Sequence, residues 1–260
     1  MKKILLIVSF CSILFLSGCT LQDVKDKWVS ATNRIMQKDQ AHEQWFTVDK
    51  QLIYDNFATG AKYIKLTNLG LTSIPDICAL LDPIDRAEVR HLNLSNNKIR
   101  IVDADLSCLT HLQTLNLSYN EISTVVRLGS LPTLRDLQLH KNQLTTVDDL
   151  PDLPGLQKLN LGYNKLKEVI WIDKYINLIK LELQHNMIEK IIWAEKLQKL
   201  EELKLEFNKL TDLPFLDTLK QLKSLTTEGN ALKETVTKQI QALQEKFLPL
   251  LSGAIGASGR

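Results

Sequence analysis

From residue 61 to residue 232 the apolar positions of this chain follow one frame, L-x-x-L-x-L-x-x-N-x-L. It is cleanest in LQTLNLSYNEI, LRDLQLHKNQL, LQKLNLGYNKL and LEELKLEFNKL. Its asparagine falls at Asn97, Asn120, Asn142, Asn164, Asn186, Asn208 and Asn230, with a first interval of 23 residues and five of 22. Counted from the first leucine, positions 4 and 6 are apolar and positions 3, 5 and 7 are polar. That alternation predicts a short strand with one face buried. In the third repeat Leu115 and Leu117 point inward, joined by Leu112, Ile122, Val125, Leu128 and Leu131. The fourth repeat matches with Leu134, Leu137, Leu139, Leu144, Val147, Leu150 and Leu153. Full burial of each is worth roughly 1.5–3 kcal/mol, and only a stack of repeats can achieve it.

The asparagine is the polar exception in this pattern. Its amide offers both donors and an acceptor to backbone groups where the chain leaves the strand. A ladder of buried supports is the expectation, without a functional role. Both ends of the array are atypical. The first copy keeps Ile64, Leu66, Leu71 and Ile74 but has Leu69 for the asparagine and extra residues before Val89, and the last has Thr227 at an inward position. Frayed terminal copies suit the ends of a stack, where the core meets water. Pro132, Pro151, Pro154 and Pro214 in the outer segments argue against long helices there. Those segments are predicted to be 3-10 turns and extended pieces. Helical spacing places Val24, Trp28, Ala31 and Ile35 on one face within residues 23–38. It does the same for Val236, Ile240, Leu243, Phe247 and Leu250 within residues 234–251. The second helix is expected to cover the last repeat, and residues 252–260 to form a disordered tail.

The frame is the signature of leucine-rich repeats. Its period and outer pattern resemble the repeat class of internalins and of the regulatory subunit of protein phosphatase 1. The resemblance covers residues 61–232, about two-thirds of the chain. It implies an α/β solenoid of eight repeats, with a curved parallel sheet on the concave face, 3-10 and extended segments on the convex face, and flanking helices. It also implies a protein-binding surface, without naming the ligand. No sortase-type wall anchor follows, so the internalin mode of anchoring does not carry over.

The amino terminus reads MKKILLIVSFCSILFLSGC. Lys2 and Lys3, an apolar run over residues 4–16 and Ser17-Gly18 have the layout of a secretory signal peptide. The apolar run is short of the about 20 residues a spanning helix needs. Leu16-Ser17-Gly18-Cys19 resembles the lipobox of bacterial lipoproteins, which implies cleavage before Cys19 and acylation of its thiol and new amino group. The alternative is an ordinary signal peptide that happens to end at a cysteine. Two or more acyl chains would hold the protein stably on a membrane. Thr20 stands where that family's inner-membrane retention signal has Asp, which implies an outer-membrane lipoprotein of the cell envelope, surface-exposed or facing the periplasm. The expected organisation is a signal peptide (1–18), a lipid-anchored helical tether or cap (19–60), the solenoid (61–232), a capping helix (233–251) and the tail (252–260).

Cys78 and Cys108 fall in adjacent repeats, in a compartment where disulfides persist. They are the disulfide candidate; the alternative is two free thiols, because bridging demands close Cα atoms. Removing residues 1–18 takes two lysines and no acid, leaving 30 basic and 30 acidic residues. With no Lys/Arg block to follow a phosphate backbone, nucleic acid is excluded as a partner.

Two rows stand out as candidate partner-binding surface. Position 8 reads Asn68, Asn96, Tyr119, Lys141, Tyr163, His185, Phe207, Gly229 along the array. Its aromatics either form a hot spot or pack on one another. Position 16 reads Arg127, Asp149, Trp171, Trp193, Phe215 and is expected to face outward, with Ile170 and Ile192 beside it. It is an exposed apolar patch, a membrane-surface contact, or a set of rings folded down over the outer edge or against the carboxy-terminal helix. On the strand face, Lys158, Lys180, Lys204 and Asp136 are set against Glu182, Glu202, Glu206 and Glu228 toward the carboxy-terminal end. The five histidines (His42, His91, His111, His140, His185) form no zinc-spaced motif, and there is no nucleophile elbow or phosphate-cradling glycine loop. No metal or cofactor is implied. The chain therefore reads as a non-enzymatic, membrane-anchored lipoprotein that binds a host or envelope protein, its oligomeric state left open. The alternatives are a periplasmic scaffold for envelope proteins or glycans, and an enzyme using residues 39–60.

Overall fold

The computed structural model describes the backbone of residues 63–192 and 196–255, with side chains up to Glu245. These residues fall in one compact unit, Thr47–Arg260. The signal sequence, Cys19, the helix expected over residues 23–38 and Trp193 lie outside the described residues.

Eight three-residue strands form a single parallel sheet: β1 (Tyr63–Lys65), β2 (His91–Asn93), β4 (Thr114–Asn116), β6 (Asp136–Gln138), β7 (Lys158–Asn160), β9 (Lys180–Glu182), β11 (Glu202–Lys204) and β12 (Ser224–Thr226). Each strand is positions 3 to 5 of a repeat. Pairing is in register throughout, so Leu92, Leu115, Leu137, Leu159, Leu181, Leu203 and Leu225 line up across the sheet. All are buried, as are the position-6 leucines from Leu66 to Leu205. Constant register follows from constant period: each copy presents the same inward set to its neighbour, and a slip of one residue would turn those leucines to solvent.

The single 23-residue interval leaves this register untouched, because its extra residue is absorbed on the outer side. On that side β3 (Ile101–Asp103) also pairs with β5 (Thr124–Arg127), and the register moves from Val102↔Val125 to Asp103↔Arg127, so Val126 of the following 22-residue copy bulges out. The turn after β3 passes close to Gly129, whose φ is +81°, and a Cβ there would overlap the Asp105 carboxylate and the Ser107 backbone. Glycine is the residue this site requires. A second outer pair joins β8 (Glu168–Val169) to β10 (Lys190–Ile191). Short 3-10 helices follow at Ile172–Lys174 and Leu216–Thr218.

The asparagine ladder accounts for the polar groups at the strand exit. Asn142 is representative. Its Oδ1 accepts from Ile122 N at 3.0 Å, and its Nδ2 donates to Leu117 O of the preceding repeat and to Leu139 O of its own, each at 3.0 Å. Asn120, Asn164, Asn186 and Asn208 repeat the pattern. At the first copy, Leu69 has no amide to contribute, and Asn97 Oδ1 accepts from both Leu69 N and Leu71 N.

Helices occur in the first copy and after the last. The extra residues of the first copy form α1 (Ile77–Leu80), with Asp76 Oδ1 accepting from Ala79 N, and α2 (Pro83–Glu88), with proline in its first turn. Ile77 and Leu81 join the core. Cys78 on α1 is bonded to Cys108 of the next outer turn, their Cα atoms 5.9 Å apart. At the other end, α3 (Glu234–Ile255) buries Val236 and Ile240.

Asn164→Ala would strand Leu144 N and the carbonyls of Leu139 and Leu161 in the core. We expect it to lower unfolding stability by about 3 kcal/mol or more, read as the urea midpoint. Asn230→Ala, at the partly buried end of the ladder, should cost clearly less. Equal losses would mean that the ladder is not a buried support.

Candidate interaction surface

Every non-glycine residue with positive φ among those described occupies position 8: Asn68, Asn96, Tyr119, Lys141, Tyr163, His185 and Phe207, at φ 52–60°. Gly229 ends the row at φ 72°. The left-handed turn lets the backbone keep pairing as it leaves the strand. Tyr163 N donates to Gln184 O, His185 N to Glu206 O and Phe207 N to Glu228 O, at 2.7–2.8 Å. That conformation costs an ordinary L-residue roughly 1–2 kcal/mol, and only glycine and asparagine adopt it readily. The outer members of the row are of those types. Of the five between them, only His185 is of a type enriched at positive φ.

Contacts among those five offset part of the strain. Lys141 Nζ lies 4.5 Å from the Tyr119 ring centre and 5.3 Å from that of Tyr163. Tyr163 stacks on His185 at 4.1 Å and His185 on Phe207 at 4.4 Å, with rings within 16° of parallel. Phe207 in turn lies over Gly229, where a Cβ would overlap its ring. Each aromatic pair contributes about 0.5–1.5 kcal/mol and each exposed cation–π contact about 0.5–1 kcal/mol. Together they come to about 2–5 kcal/mol, against about 5–10 kcal/mol for five left-handed residues, so the contacts offset only part of the backbone strain. It remains open to solvent: Tyr119 and Tyr163 are each 44 % exposed and Phe207 54 %. Because ring faces meet each other, a partner meets mainly ring edges and the tyrosine hydroxyls.

One residue earlier, position 7 holds buried Ser95, Ser118 and Gly162 and half-buried His140, Gln184 and Glu206. The Gln184 amide lies over Gly162, where any Cβ would collide with it. His140 sits edge-on to Tyr119 at 5.3 Å, and its Nδ1 is shielded without a hydrogen-bond partner. Burial pushes the His140 pKa below the ordinary histidine value and outweighs the opposing pull of Glu182, while Lys141 adds to the lowering.

On the strand face the expected charge gradient closes on itself. Lys180 Nζ lies 3.2 Å from Glu182 Oε1 and 3.0 Å from Glu202 Oε1, and Lys204 Nζ lies 2.7 and 3.4 Å from the same two oxygens. Burial pushes the Glu182 carboxyl up, but the Lys204 hydrogen bond and both lysine charges outweigh it and leave the pKa lowered. The quartet is self-neutralised. Lys158 stands outside any ion pair among the described residues.

The outer row departs from expectation. Position 16 faces outward at Arg127 and Asp149 but not at Trp171 and Phe215, which are 7 % and 5 % exposed. Both aromatics immediately precede a 3-10 helix in the right-handed helical conformation, which folds the ring over the core. Trp171 meets Tyr175 edge-on at 6.2 Å. The exposed apolar residues nearby are Ile170, Ile176 and Ile192. The uniform left-handed turn at position 8 carried one sequence signal: the asparagines and glycine at its two ends. Among the described residues no group of three or more His, Cys, Asp or Glu side chains is placed to hold a metal.

A family model for leucine-rich repeats (two copies) matches residues 88–129. No curated protein matches the chain. Among solved structures, a leucine-rich-repeat protein of Leptospira interrogans is similar at 28 % identity and a TM-score of 0.59, over 71 % of this chain and 47 % of that one. The chain thus spans about half the length of that protein.

If stacking offsets a strained turn, Phe207→Asn should change stability by less than about 1 kcal/mol, since asparagine tolerates the turn. Phe207→Val, β-branched and without the stack, should lose about 2 kcal/mol or more; equal losses in denaturant titration would refute the strain account. A second outcome concerns pH. His140 has a folded-state pKa below its unfolded value, so its stabilisation is complete above about pH 6.5. It is lost as pH falls toward the folded pKa, because the unfolded chain then binds the extra proton. His140→Gln, the type found at position 7 as Gln184, should flatten the fall of the urea midpoint on the acid side of neutrality.

Proposed function

This chain is a leucine-rich-repeat protein, and we propose that it is a membrane-anchored binding protein whose partner is another protein, engaged along the strand-exit rim. Repeat arrays of this kind are interaction scaffolds. The observation that carries the reading is the ladder Tyr119–Lys141–Tyr163–His185–Phe207. Four of five consecutive repeats place residue types poorly suited to a left-handed turn on an exposed edge. Strain retained at a surface where folding gains nothing from it points to function, and tyrosine is among the residue types that dominate protein-binding energy. The arrangement favours binding over catalysis: the polar groups lie along an open sheet rather than converging in an enclosed pocket.

In this reading Cys19 carries the lipid, the protein sits on the outer membrane, and the partner is a host or envelope protein. Signal-peptide layout and the Leu-Ser-Gly-Cys order support that placement. Trp171 is not part of the surface, since its ring is buried.

The test pairs binding with stability. The double variant Tyr163→Asn/Phe207→Asn should lose capture of the partner from surface-labelled cells or envelope extracts while its thermal midpoint stays within a few degrees of wild type. Retained capture would sink the rim reading. Cys19→Ser should move the protein from the membrane to the soluble fraction. Protease treatment of intact cells, with a lysed control, separates the two partner classes: digestion before lysis fits a host-facing protein, and protection until lysis an envelope one.

A further inference from the structure

The sheet face beside the rim carries a second set of fixed polar groups. Position 5 presents carboxamides on four successive strands in register: Asn93, Asn116, Gln138 and Asn160. Three of them have the side-chain oxygen engaged by their own backbone. Asn93 Oδ1 accepts from Ser95 N at 3.0 Å, Asn116 Oδ1 from Ser118 N at 3.0 Å, and Asn160 Oδ1 from Gly162 N at 3.1 Å. Asn116 Oδ1 also accepts from the Ser118 hydroxyl at 2.6 Å. These local bonds fix the amide plane and turn its NH2 group away from the chain. Asn93 donates to Tyr63 Oη at 3.0 Å, whereas the Nδ2 donors of Asn116 and Asn160 have no partner among the described residues. Gln138 is reversed: its Nε2 donates to Asp136 Oδ1 at 2.6 Å, leaving Oε1 to accept. Strands lie about 4.8 Å apart, so the face offers donor, acceptor, donor at set spacing. Beside the last two lies a hollow of about 210 Å³ whose walls include Asp136, Gln138, Lys158, Asn160, Lys180 and Glu182.

Two features limit what fits there. Across β4, β6, β7 and β9 the outward residues are Thr114, Asn116, Asp136, Gln138, Lys158, Asn160, Lys180 and Glu182, so the apolar centre of a protein interface is missing. Lys180 is engaged by Glu182 and Glu202, which leaves Lys158 alone to meet an anion, too little for a polyanion. A hydroxyl both donates and accepts and can satisfy the amide donors and the Gln138 and Asp136 acceptors in turn. We propose that this hollow and amide row form a subsite for a neutral, hydroxyl-rich oligosaccharide laid across the strands, separate from the aromatic rim.

The decisive variant is Asn116→Asp/Asn160→Asp. Its carboxylates still accept from Ser118 and Gly162, so the turns are kept, but the outward donors are gone. Titration calorimetry would use the full chain, a panel of short neutral hexose and N-acetylhexosamine oligosaccharides, and a heparin-derived oligosaccharide as the polyanionic probe. We expect at least one neutral sugar to bind, and the double variant to weaken it about tenfold or more with an unchanged thermal midpoint. Should the midpoint fall, Gln138→Met, which removes the acceptor at similar length, supplies the same reading. The rim variant Tyr163→Asn/Phe207→Asn should keep sugar binding, so that failure of the protein-binding reading leaves this result standing. No neutral sugar binding up to millimolar concentration, tighter binding of the heparin-derived probe, or unchanged affinity in both amide-row variants would overturn the proposal. Loss of protein capture in the amide-row variant without any sugar binding would assign the face to the protein partner instead, and would also overturn it.

Discussion

The structure depends on the need to satisfy backbone groups where each short strand ends. A three-residue strand leaves its carbonyls and the following amides pointing into a core of leucines, where an unmet polar group costs about 1–3 kcal/mol. One asparagine per repeat meets that demand with its own amide, bonding backward to the preceding copy and sideways to its own. Reaching those groups requires the chain to turn sharply just before the asparagine. The left-handed residue at position 8 is the consequence, and so is the rim of side chains standing on it.

The two surfaces beside the exit differ in what their groups have left to offer. On the strand face toward the carboxy terminus, Lys180, Glu182, Glu202 and Lys204 neutralise one another, which leaves little field for a charged partner. Toward the amino terminus the carboxamides hold fixed orientations with donors still available. The rim presents four aromatic rings and Lys141 over five repeats, its stacking energy offsetting part of its backbone strain. On the proposed reading, partner selectivity would rest on shape and hydrogen-bond pattern more than on net charge, in keeping with the equal numbers of basic and acidic residues expected after residues 1–18 are removed.

The repeat frame made the solenoid legible. Every inward position named in the third and fourth repeats is buried, and the prolines of the outer segments foretold short 3-10 turns in place of long helices. The exception was position 16. Its periodicity predicts an outward residue, and Arg127 and Asp149 obey it, but Trp171 and Phe215 do not. A large apolar ring gains more by rotating over the core than its place in the period dictates, and the 3-10 turn that follows supplies the rotation.

What the sequence determined alone was therefore the architecture: a fixed inward set recurring at a fixed spacing can be buried only by stacking, and the interval of 22 residues sets the register. What only the tertiary structure decided was the character of the surfaces. Whether Tyr163 meets His185 face to face, whether Lys180 is free or paired, and which end of the Asn160 amide faces solvent all depend on side chains from the next repeat or on the exit turn. The Tyr163–His185 stack and the Lys180–Glu202 pair lie one strand apart in space and 22 residues apart along the chain, and the Asn160 amide is set by the exit turn at Gly162, so local pattern alone does not fix them.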